Sequence, residues 1–331
     1  MTLEEMAREL GVSKSTVSRA LSGKGRIGDA TRKRIQDYAR HQEGYMTGNS
    51  VGKTVTGNLG VVLPADVYIS RGAYFQECIL GICETATFLG YNVLITTGTA
   101  NDVTGIRTLV EKEKVDGVIL TRSLEDDRAL QYLTEIGFPV GLTGITSRPG
   151  VIQVDTDNEA ASESLTALLA GRGYRHFALI LDNMEYMVNK SRYRGFCNAL
   201  TKSGIDPEKQ FVMLGTLKMD MLDSVVSDLI NRRIECIICG DDVICTRIMS
   251  GLQAEGYRIP RDIGIASLYT SPNLDCFTPS ITAVNVSVRQ VGNMISKQMI
   301  NYLTGKEYQS KTIVDYEILM SKSTNISLQQ S

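Results

Sequence analysis

The segment from Met6 to Leu21 reads MARELGVSKSTVSRAL and decides the fold at the amino end of the chain. Gly11 divides this segment, because glycine supplies the permissive backbone that a tight turn needs. Apolar residues recur at helical spacing on both sides of the glycine: Leu3, Met6, Ala7 and Leu10 before it, and Val17, Ala20 and Leu21 after it. Ser13 is placed to cap the second helix. The spacing therefore predicts two short helices joined by a turn, the helix-turn-helix motif.

The outward face of the second predicted helix is rich in hydrogen-bond donors, which are Lys14, Ser15, Thr16, Ser18 and Arg19. In this motif the first turn of the second helix enters the major groove of DNA, so the face is suited to contact base edges. A third helix is predicted over 27–40 with a cationic side, and Lys24 in the loop before it is available to the DNA backbone. The alternative for the same residues is a three-helix cap whose polar side chains only face water.

Charge is unevenly distributed along the chain. Residues 1–57 hold ten Lys or Arg and six Asp or Glu, whereas the remaining residues hold 25 basic and 31 acidic side chains. A basic head on an acidic body is expected when only the head meets a polyanion. Residues 44–58 are rich in Gly, Thr, Asn and Ser without strong periodicity, which predicts a linker. We therefore divide the chain into a head with its linker, 1–57, and a body, 58–331.

Strand-like runs alternate with amphipathic stretches throughout the body. Strands are predicted at 59–63, 91–96, 117–121, 138–142, 177–181, 211–214, 235–239 and 263–267. Helices are predicted near 73–89, 102–114, 126–136, 158–172, 192–203, 219–232 and 242–255. Two successive sets of such units indicate an α/β fold with two doubly wound parallel-sheet lobes. Because ligands of these folds sit at the carboxyl ends of strands, the cleft between the lobes is the predicted binding site.

Composition disfavours catalysis, cofactors and metals. Seven cysteines do not suggest a disulfide framework, and Cys236 and Cys239 lie in an apolar run that predicts a buried strand rather than a redox or zinc pair. Two histidines offer little for metal binding or histidine-dependent catalysis. The glycine pattern from Gly23 to Gly28 follows a helix, whereas a dinucleotide loop needs a preceding strand. We expect no enzyme, no cofactor and no metal.

No apolar run approaches the length of a membrane span, and the amino terminus carries no secretion signal, so we expect a cytoplasmic protein.

Head and body together resemble the lactose-repressor/galactose-repressor family of bacterial transcription regulators. Residues 6–21 are very similar to the amino-terminal signature of that family. The body adds family-like phrases: DNEAA at 157–161, RYRGF at 192–196, DD at 241–242, PSITAV at 279–284 and, like the closing strand of the family, EILMSKST at 317–324. The resemblance implies a homodimer, or a dimer of dimers, on roughly palindromic operator DNA. It also implies a small molecule in the cleft that changes the spacing of the two heads.

The resemblance implies roles for single residues as well. Lys14, Ser15 and Arg19 would reach base edges, with Ser13, Thr16 and Ser18 nearer to the phosphates. In the cleft, Tyr74 and Phe75 would stack on the ligand, and Arg192 would grip its hydroxyl or carboxylate groups. By periodicity alone the two aromatic residues fit the core of their own helix equally well, and Arg192 fits a surface ion pair.

The sequence departs from the family pattern in the linker and in the cleft. The hinge helix of the family begins with proline and wedges a leucine into the minor groove, whereas this linker has Thr47-Gly48 there and offers only Val51 as a wedge. In the cleft, Asp241-Asp242 replaces an Asn-Asp pair, and Tyr269 stands where an aspartate that holds sugar hydroxyls is common. We count Asp241 and Tyr269 among the effector-binding residues, and the extra carboxylate leaves room for an amine or another donor.

These observations predict a ligand-responsive, sequence-specific DNA-binding regulator, a repressor whose operator affinity is changed by a sugar or related small molecule bound between the lobes. The alternative is a solute-binding receptor whose head contacts something other than DNA.

Overall fold

The computed structural model describes residues 3–22, 27–41, 55–65, 72–215 and 221–325 of the chain. Internal contacts divide the chain into two compact units, Met1–Thr56 and Gly57–Ser331.

The first unit consists of three helices: α1 (Leu3–Leu10), α2 (Lys14–Ser22) and α3 (Asp29–His41). Its core is formed by the apolar sides of all three: Met6, Ala7, Val17, Ala20, Leu21 and Ile35. In the turn, Gly11 adopts the left-handed φ of 64° that favours glycine. The Val12 amide donates to the carbonyl of Ala7 at 3.0 Å and closes the turn. The predicted helix-turn-helix is confirmed.

The second unit alternates strands and helices. From its start the elements are β1 (Asn58–Pro64), α4 (Ala73–Phe88), β2 (Asn92–Gly98), α5 (Thr104–Glu111), β3 (Gly117–Leu120), α6 (Arg128–Glu135), β4 (Val140–Thr143) and β5 (Val151–Thr156). They continue with α7 (Asn158–Gly171), β6 (Phe177–Leu181), α8 (Met187–Lys202), β7 (Phe211–Leu214), α9 (Met221–Asn231), β8 (Cys236–Cys239), α10 (Asp242–Ala254), β9 (Gly264–Ser267) and β10 (Thr282–Val286). The last are α11 (Val288–Leu303), β11 (Lys311–Val314) and β12 (Tyr316–Leu319).

Two six-stranded sheets form two lobes. The first sheet has the order β11-β5-β4-β3-β1-β2, and the second has the order β12-β10-β9-β8-β6-β7. All described pairs are parallel except β10 with β12. The predicted doubly wound fold is confirmed, with two corrections: the second sheet ends in an antiparallel strand, and α11 and β11 return the chain to the first lobe. The chain therefore crosses between the lobes three times, at 156–158, 286–288 and 314–316.

The central strands β3, β4, β6, β8 and β9 are buried, as expected where helices cover both faces of a sheet. Strands β6 and β8 are buried along their whole length, so Cys236 and Cys239 occupy the buried strand that the sequence predicts. In the first lobe α4 packs tightly against α11, because a Cβ on Gly292 would lie 2.2 Å from the carbonyl oxygen of Cys78. Only glycine fits at such a close approach.

Most element boundaries differ from the sequence prediction by one to three residues, and two differences have an identifiable cause. Helix α8 begins at Met187 instead of near 192, because the Met187 amide donates to the carbonyl of Ser123 in the other lobe at 3.1 Å. The closing segment 317–324 is not one strand: β12 ends at Leu319, and Lys322–Thr324 form a 3₁₀ turn. There the Ser323 hydroxyl donates to the Ile265 carbonyl and accepts from the Thr282 amide. These two side-chain bonds take the place of the backbone hydrogen bonds that a strand would form.

Over the described ranges no helix is long and apolar enough to cross a membrane. The same ranges hold no group of three or more His, Cys, Asp or Glu side chains that could bind a metal ion.

Candidate functional site

Helix α2 presents two different sides. Val17 and Ala20 are fully buried in the core of the first unit. Ser13, Lys14, Ser15 and Arg19 are exposed, and Thr16 and Ser18 are half-buried. The structure thus places the six described residues of the predicted DNA-binding set at the start of α2 or along its outer side. Lys24 and Val51 lie outside the described residues.

The first turn of α2 is organised by Ser13. Its hydroxyl oxygen accepts from the Thr16 amide at 3.1 Å, so Ser13 is the N-cap of the helix. The same oxygen lies 2.8 Å from the hydroxyl oxygens of Ser15 and of Thr16. Three hydroxyl groups are therefore clustered at a helix N-terminus, where amide groups and the helix dipole favour an anion such as a phosphate.

The second unit contains a cleft between its two lobes, and the space in it, open solvent at its mouth included, is about 1110 Å³. Four of its charged wall residues follow or end strands: Arg122 follows β3, Asp155 lies near the end of β5, Asp182 follows β6 and Asp241 follows β8. The carboxyl ends of both sheets therefore face one cavity, as the fold predicts.

Aromatic rings from both lobes line this cleft. Tyr74 and Phe75 begin α4 in the first lobe, and their ring centroids lie 5.3 Å apart in an edge contact. Tyr269 follows β9 in the second lobe, and its ring meets that of Tyr74 at 5.9 Å. Tyr269 is buried, and burial raises the pKa of its hydroxyl. Tyr74 also packs against the core of the first lobe. It therefore occupies both positions that the sequence left open for it, the core of the lobe and the wall of the cleft.

Arg192 projects from α8 into the wall of the cleft. Its Nη2 atom donates to the Leu268 carbonyl at 3.4 Å, and its buried Nε atom has no hydrogen-bond partner among the described residues. Burial lowers the pKa of Arg192, whereas the nearby carboxylates of Asp241 and Asp155 oppose that effect. Arg192 is therefore a partly satisfied donor between two acids, and it does not form a surface ion pair.

The carboxyl group of Asp155 lies on the first-lobe side of this arginine. Its Oδ1 atom accepts from the Thr156 amide at 2.8 Å and from the Asn158 side-chain amide at 3.1 Å. Burial raises the pKa of Asp155 to about 6, although both hydrogen bonds and Arg192 act in the opposite direction.

The two adjacent acids after β8 have different roles. Asp241 caps α10, because its Oδ1 atom accepts from the Ile244 amide at 2.8 Å. Asp242 is 2% exposed, and its Oδ2 atom accepts from the Ser271 hydroxyl at 2.5 Å and from the Asn273 side-chain amide at 3.0 Å. Asp242 therefore holds the loop at 271–273, and both acids border the cleft.

A set of contacts that we call the clasp joins residues 122–125 of the first lobe to residues 185–190 of the second. Leu124 and Tyr186 form an antiparallel bridge, and the Glu125 amide donates to the Glu185 carbonyl at 2.9 Å. The Arg122 Nη1 atom donates to the Tyr186 hydroxyl at 3.0 Å. Lys190 forms an ion pair with Glu125. The clasp therefore links the lobes at a place where the chain does not cross.

The five predicted effector-binding residues all line this cleft: Tyr74, Phe75, Arg192, Asp241 and Tyr269. Several other polar residues of the cleft are not predicted from the sequence. The omitted residues are Arg122, Asp155, Asp182, Tyr186 and Asn189. Arg122 and Asp182 directly follow predicted strands, so the rule that ligands bind at strand ends could have found them. Tyr186 and Asn189 carry no such local signal.

Two family models match the chain. Residues 56–320 match the model for periplasmic binding proteins and the sugar binding domain of the LacI family, and residues 2–45 match that for bacterial regulatory proteins of the lacI family.

Curated relatives match over almost their whole length. The HTH-type transcriptional regulator RegA of Clostridium saccharobutylicum is 25% identical, over 98% of this chain and 99% of its own. Catabolite control protein A of Priestia megaterium is 24% identical, over 95% of this chain and 96% of its own.

Solved structures share the fold. A complex of the transcriptional regulator CelR with cellobiose has a TM-score of 0.74 at 22% identity and covers 98% of this chain and 99% of that chain. The transcription regulator CcpA of Lactococcus lactis has a TM-score of 0.73 at 23% identity and covers 82% of this chain and 100% of that chain.

Proposed function

The chain belongs to the LacI family of bacterial regulatory proteins, and from this premise we propose that it is a ligand-responsive, sequence-specific DNA-binding regulator of transcription. It acts in the cytoplasm as a repressor, and a small molecule bound between its lobes changes its affinity for operator DNA. The cleft binds this molecule without converting it. The observation that carries the proposal is the exposed, donor-bearing side of α2 on a helix whose apolar side is already buried.

We propose DNA contacts for α2 from the resemblance to the family, and the exposure of its outer side supports them. Lys14, Ser15 and Arg19 are exposed on the outer side, where they reach base edges in the major groove. The hydroxyl groups of Ser13, Thr16 and Ser18 serve the phosphates. Lys24 and Val51 complete the predicted set as a phosphate contact and a minor-groove wedge.

The cleft is suited to couple ligand binding to a change of lobe arrangement. Tyr74, Phe75 and Asp155 come from the first lobe, whereas Arg192, Asp241 and Tyr269 come from the second. A ligand that contacts both sets favours one arrangement, and it shifts DNA affinity only by its differential affinity for the two arrangements, typically about 1–3 kcal/mol.

We also propose that the protein acts as a homodimer, which is the assembly that a palindromic operator requires. Three large apolar side chains of the first lobe are exposed on α4 and on the edge strand β2: Leu80, Phe88 and Ile95. Phe88 is 87% exposed, and large exposed apolar side chains of this kind support an interface between two copies of the chain. Light scattering after size exclusion is expected to give twice the chain mass, or four times for a dimer of dimers, and Phe88→Ser is expected to lower it.

The experiment that tests the function is the selection of duplex DNA from a random pool by the full-length protein, followed by titration of the selected sequence. The proposal predicts a palindromic consensus and binding that weakens steeply with salt, because phosphate contacts release counterions. Recovery of no consensus, together with ligand binding that survives deletion of residues 1–57, would support the solute-binding receptor instead.

A further inference from the structure

The carboxyl end of α1 leads directly into the turn before α2, the helix that we propose contacts DNA bases. The last carbonyl groups of an α-helix have no partner within the helix and need partners from outside it. The turn itself bonds two of them. The Gly11 amide donates to the Arg8 carbonyl at 3.3 Å, and the Val12 amide donates to the Ala7 carbonyl. The carbonyl of Leu10, the final residue of α1, takes its donor from α3.

Arg34 of α3 supplies this donor. Its Nη2 atom donates to the Leu10 carbonyl at 2.7 Å, although the two residues are 24 positions apart in the chain. The positive charge of the guanidinium also lies at the negative end of the α1 dipole, which favours it there. Arg34 is exposed and basic, so by its charge alone it belongs to the cationic side of α3. Its hydrogen bond gives it a different task, which is to bind the end of α1.

Tyr38 makes a second contact from the same side of α3. Positions 34 and 38 are four residues apart, so their side chains are neighbours on one face of the helix. The Tyr38 hydroxyl donates to the Glu9 carboxylate, and the Tyr38 side chain also packs against the core of the first unit. Glu9 and Leu10 are the last two residues of α1. Two neighbouring side chains of α3 thus hold two successive residues of α1, and we call this pair of contacts the strut.

The strut lies close enough in the chain to affect the placement of α2. Residues 11–13 are the only link between the end of α1 and the start of α2, so a contact that fixes Leu10 also limits where α2 can begin. Hydrogen bonds to base edges depend on distance and angle, whereas a charge attracts phosphates over a wider range of positions. A small shift of α2 is therefore expected to weaken base contacts more than phosphate contacts.

We propose that Arg34 and Tyr38 are positioning residues for DNA recognition, which act through the end of α1 and hold α2 in the orientation that its base contacts require. Arg34 is not one of the phosphate contacts, although it is basic and exposed. This inference rests on the proposed function, because it names residues that set the specificity of the same DNA-binding unit.

The quantity that tests this proposal is the specificity ratio, which is the Kd for a scrambled duplex divided by the Kd for the selected operator of equal length. Loss of a phosphate contact weakens binding to both duplexes and lowers the salt slope by about 0.9, so the ratio does not change. Partial unfolding of the first unit also weakens both by the same factor. Loss of a positioning contact lowers the ratio. Fluorescence anisotropy of the full-length protein over a range of salt concentrations measures both quantities.

Arg34→Met removes the hydrogen bond to Leu10 together with the charge. It is expected to lower the specificity ratio about threefold to tenfold, with the salt slope of the unchanged protein. Lys33→Met removes the same charge from the neighbouring exposed position and is the matched control, with an unchanged ratio. The inference is overturned by an unchanged ratio in Arg34→Met, by a salt slope that falls there by about 0.9, or by an equal loss of ratio in Lys33→Met.

The second contact of the strut is tested from its acceptor. Glu9→Ala removes a negative charge, so electrostatics alone predicts tighter binding to both duplexes and an unchanged ratio. The strut predicts a lower ratio, because α1 loses its bond to Tyr38. Tyr38→Phe removes only the hydroxyl group and is expected to lower the ratio as well. An unchanged or higher ratio in either variant overturns the assignment of Tyr38.

Failure of this inference can be told apart from failure of the proposed function. If the unchanged protein selects no consensus sequence, the proposed function is overturned and the inference with it. If the protein selects a consensus and Arg34→Met retains the full specificity ratio, the proposed function stands and the inference alone is overturned.

Discussion

The guanidinium of Arg122 in the first lobe donates to the hydroxyl of Tyr186 in the second at 3.0 Å, and it lies 5.6 Å from the centre of the same ring. Both residues line the ligand cleft. The three chain crossings persist in any arrangement of the lobes, whereas this contact and the rest of the clasp can break. We therefore expect that breaking the clasp, and not the crossings, would let the cleft open.

Removing the Tyr186 hydroxyl should loosen the clasp. A hydrogen bond from a charged donor contributes roughly 1.5–3 kcal/mol, so Tyr186→Phe is expected to populate the open form at least about tenfold more. The amides of Glu125 and Met187 report on it, because each donates to a carbonyl of the other lobe. Hydrogen exchange at these amides is the measurement, and it should speed up by about the same factor.

Tyr308→Phe is the matched control, since Tyr308 is exposed on a loop away from the clasp. Its exchange at residues 123–125 and 185–189 should equal that of the unchanged protein. Equal exchange in Tyr186→Phe as well would mean that the Arg122 contact does not hold the lobes together.

Asp155 makes the stability of the protein depend on pH. Burial raises the pKa of Asp155 from its ordinary value of 3.8 to about 6, so between about pH 4 and pH 6 the folded chain binds more of this proton than the unfolded chain does. Stability contributed by this group is therefore lost as pH rises through that window. The ionisable groups that face it are Arg192, Asp157 and Tyr74.

The variant Asp155→Asn isolates this effect, since asparagine can still accept the bonds to Oδ1. At pH 7.5 without ligand it should be more stable than the unchanged protein, by at most about 3 kcal/mol, and the gain should vanish near pH 4. Urea unfolding at both pH values measures the difference. If the variant is no more stable at pH 7.5, or if its added stability grows on acidification, then burial of the ionised Asp155 carboxylate does not destabilise the folded protein.

The contact between α4 and α11 depends on glycine. A Cβ on Gly292 would lie 2.2 Å from the Cys78 carbonyl oxygen, so Gly292→Ala forces the two helices apart and should lower the free energy of unfolding by about 1–3 kcal/mol. In the control Gly171→Ala, the new methyl group meets nothing within 4 Å at the end of α7, and stability should hold or rise. Urea unfolding that ranks the two variants in the reverse order would contradict the packing described here.

The features of the fold that depend on local periodicity could be predicted from the sequence. Gly11 between two apolar helical patterns marks the helix-turn-helix, and the alternation of strands and helices marks two doubly wound lobes. The features that depend on contacts between residues far apart in the chain could not be predicted from the sequence. Helix α8 starts early because Met187 bonds to Ser123 of the other lobe, and the return of α11 and β11 to the first lobe carries no local signal.

The same limit applies to the cleft. Arg192 and Tyr74 are predicted because they lie in phrases that resemble the family. Asp155 is not predicted as a cleft residue, because the predicted strands do not include the short strand that carries it. Tyr186 owes its position to a pairing with Leu124 across the lobes.

The central claim is that the outer side of α2 reads base edges, and Arg19→Ala tests it most directly. Fluorescence anisotropy with the selected operator is the measurement, with Arg261→Ala, an exposed arginine of the second unit, as the control. Loss of Arg19 should raise the operator Kd about tenfold or more and relax preference at one base pair of each half-site, while Arg261→Ala binds normally. Unchanged affinity and unchanged base preference in Arg19→Ala would contradict the account.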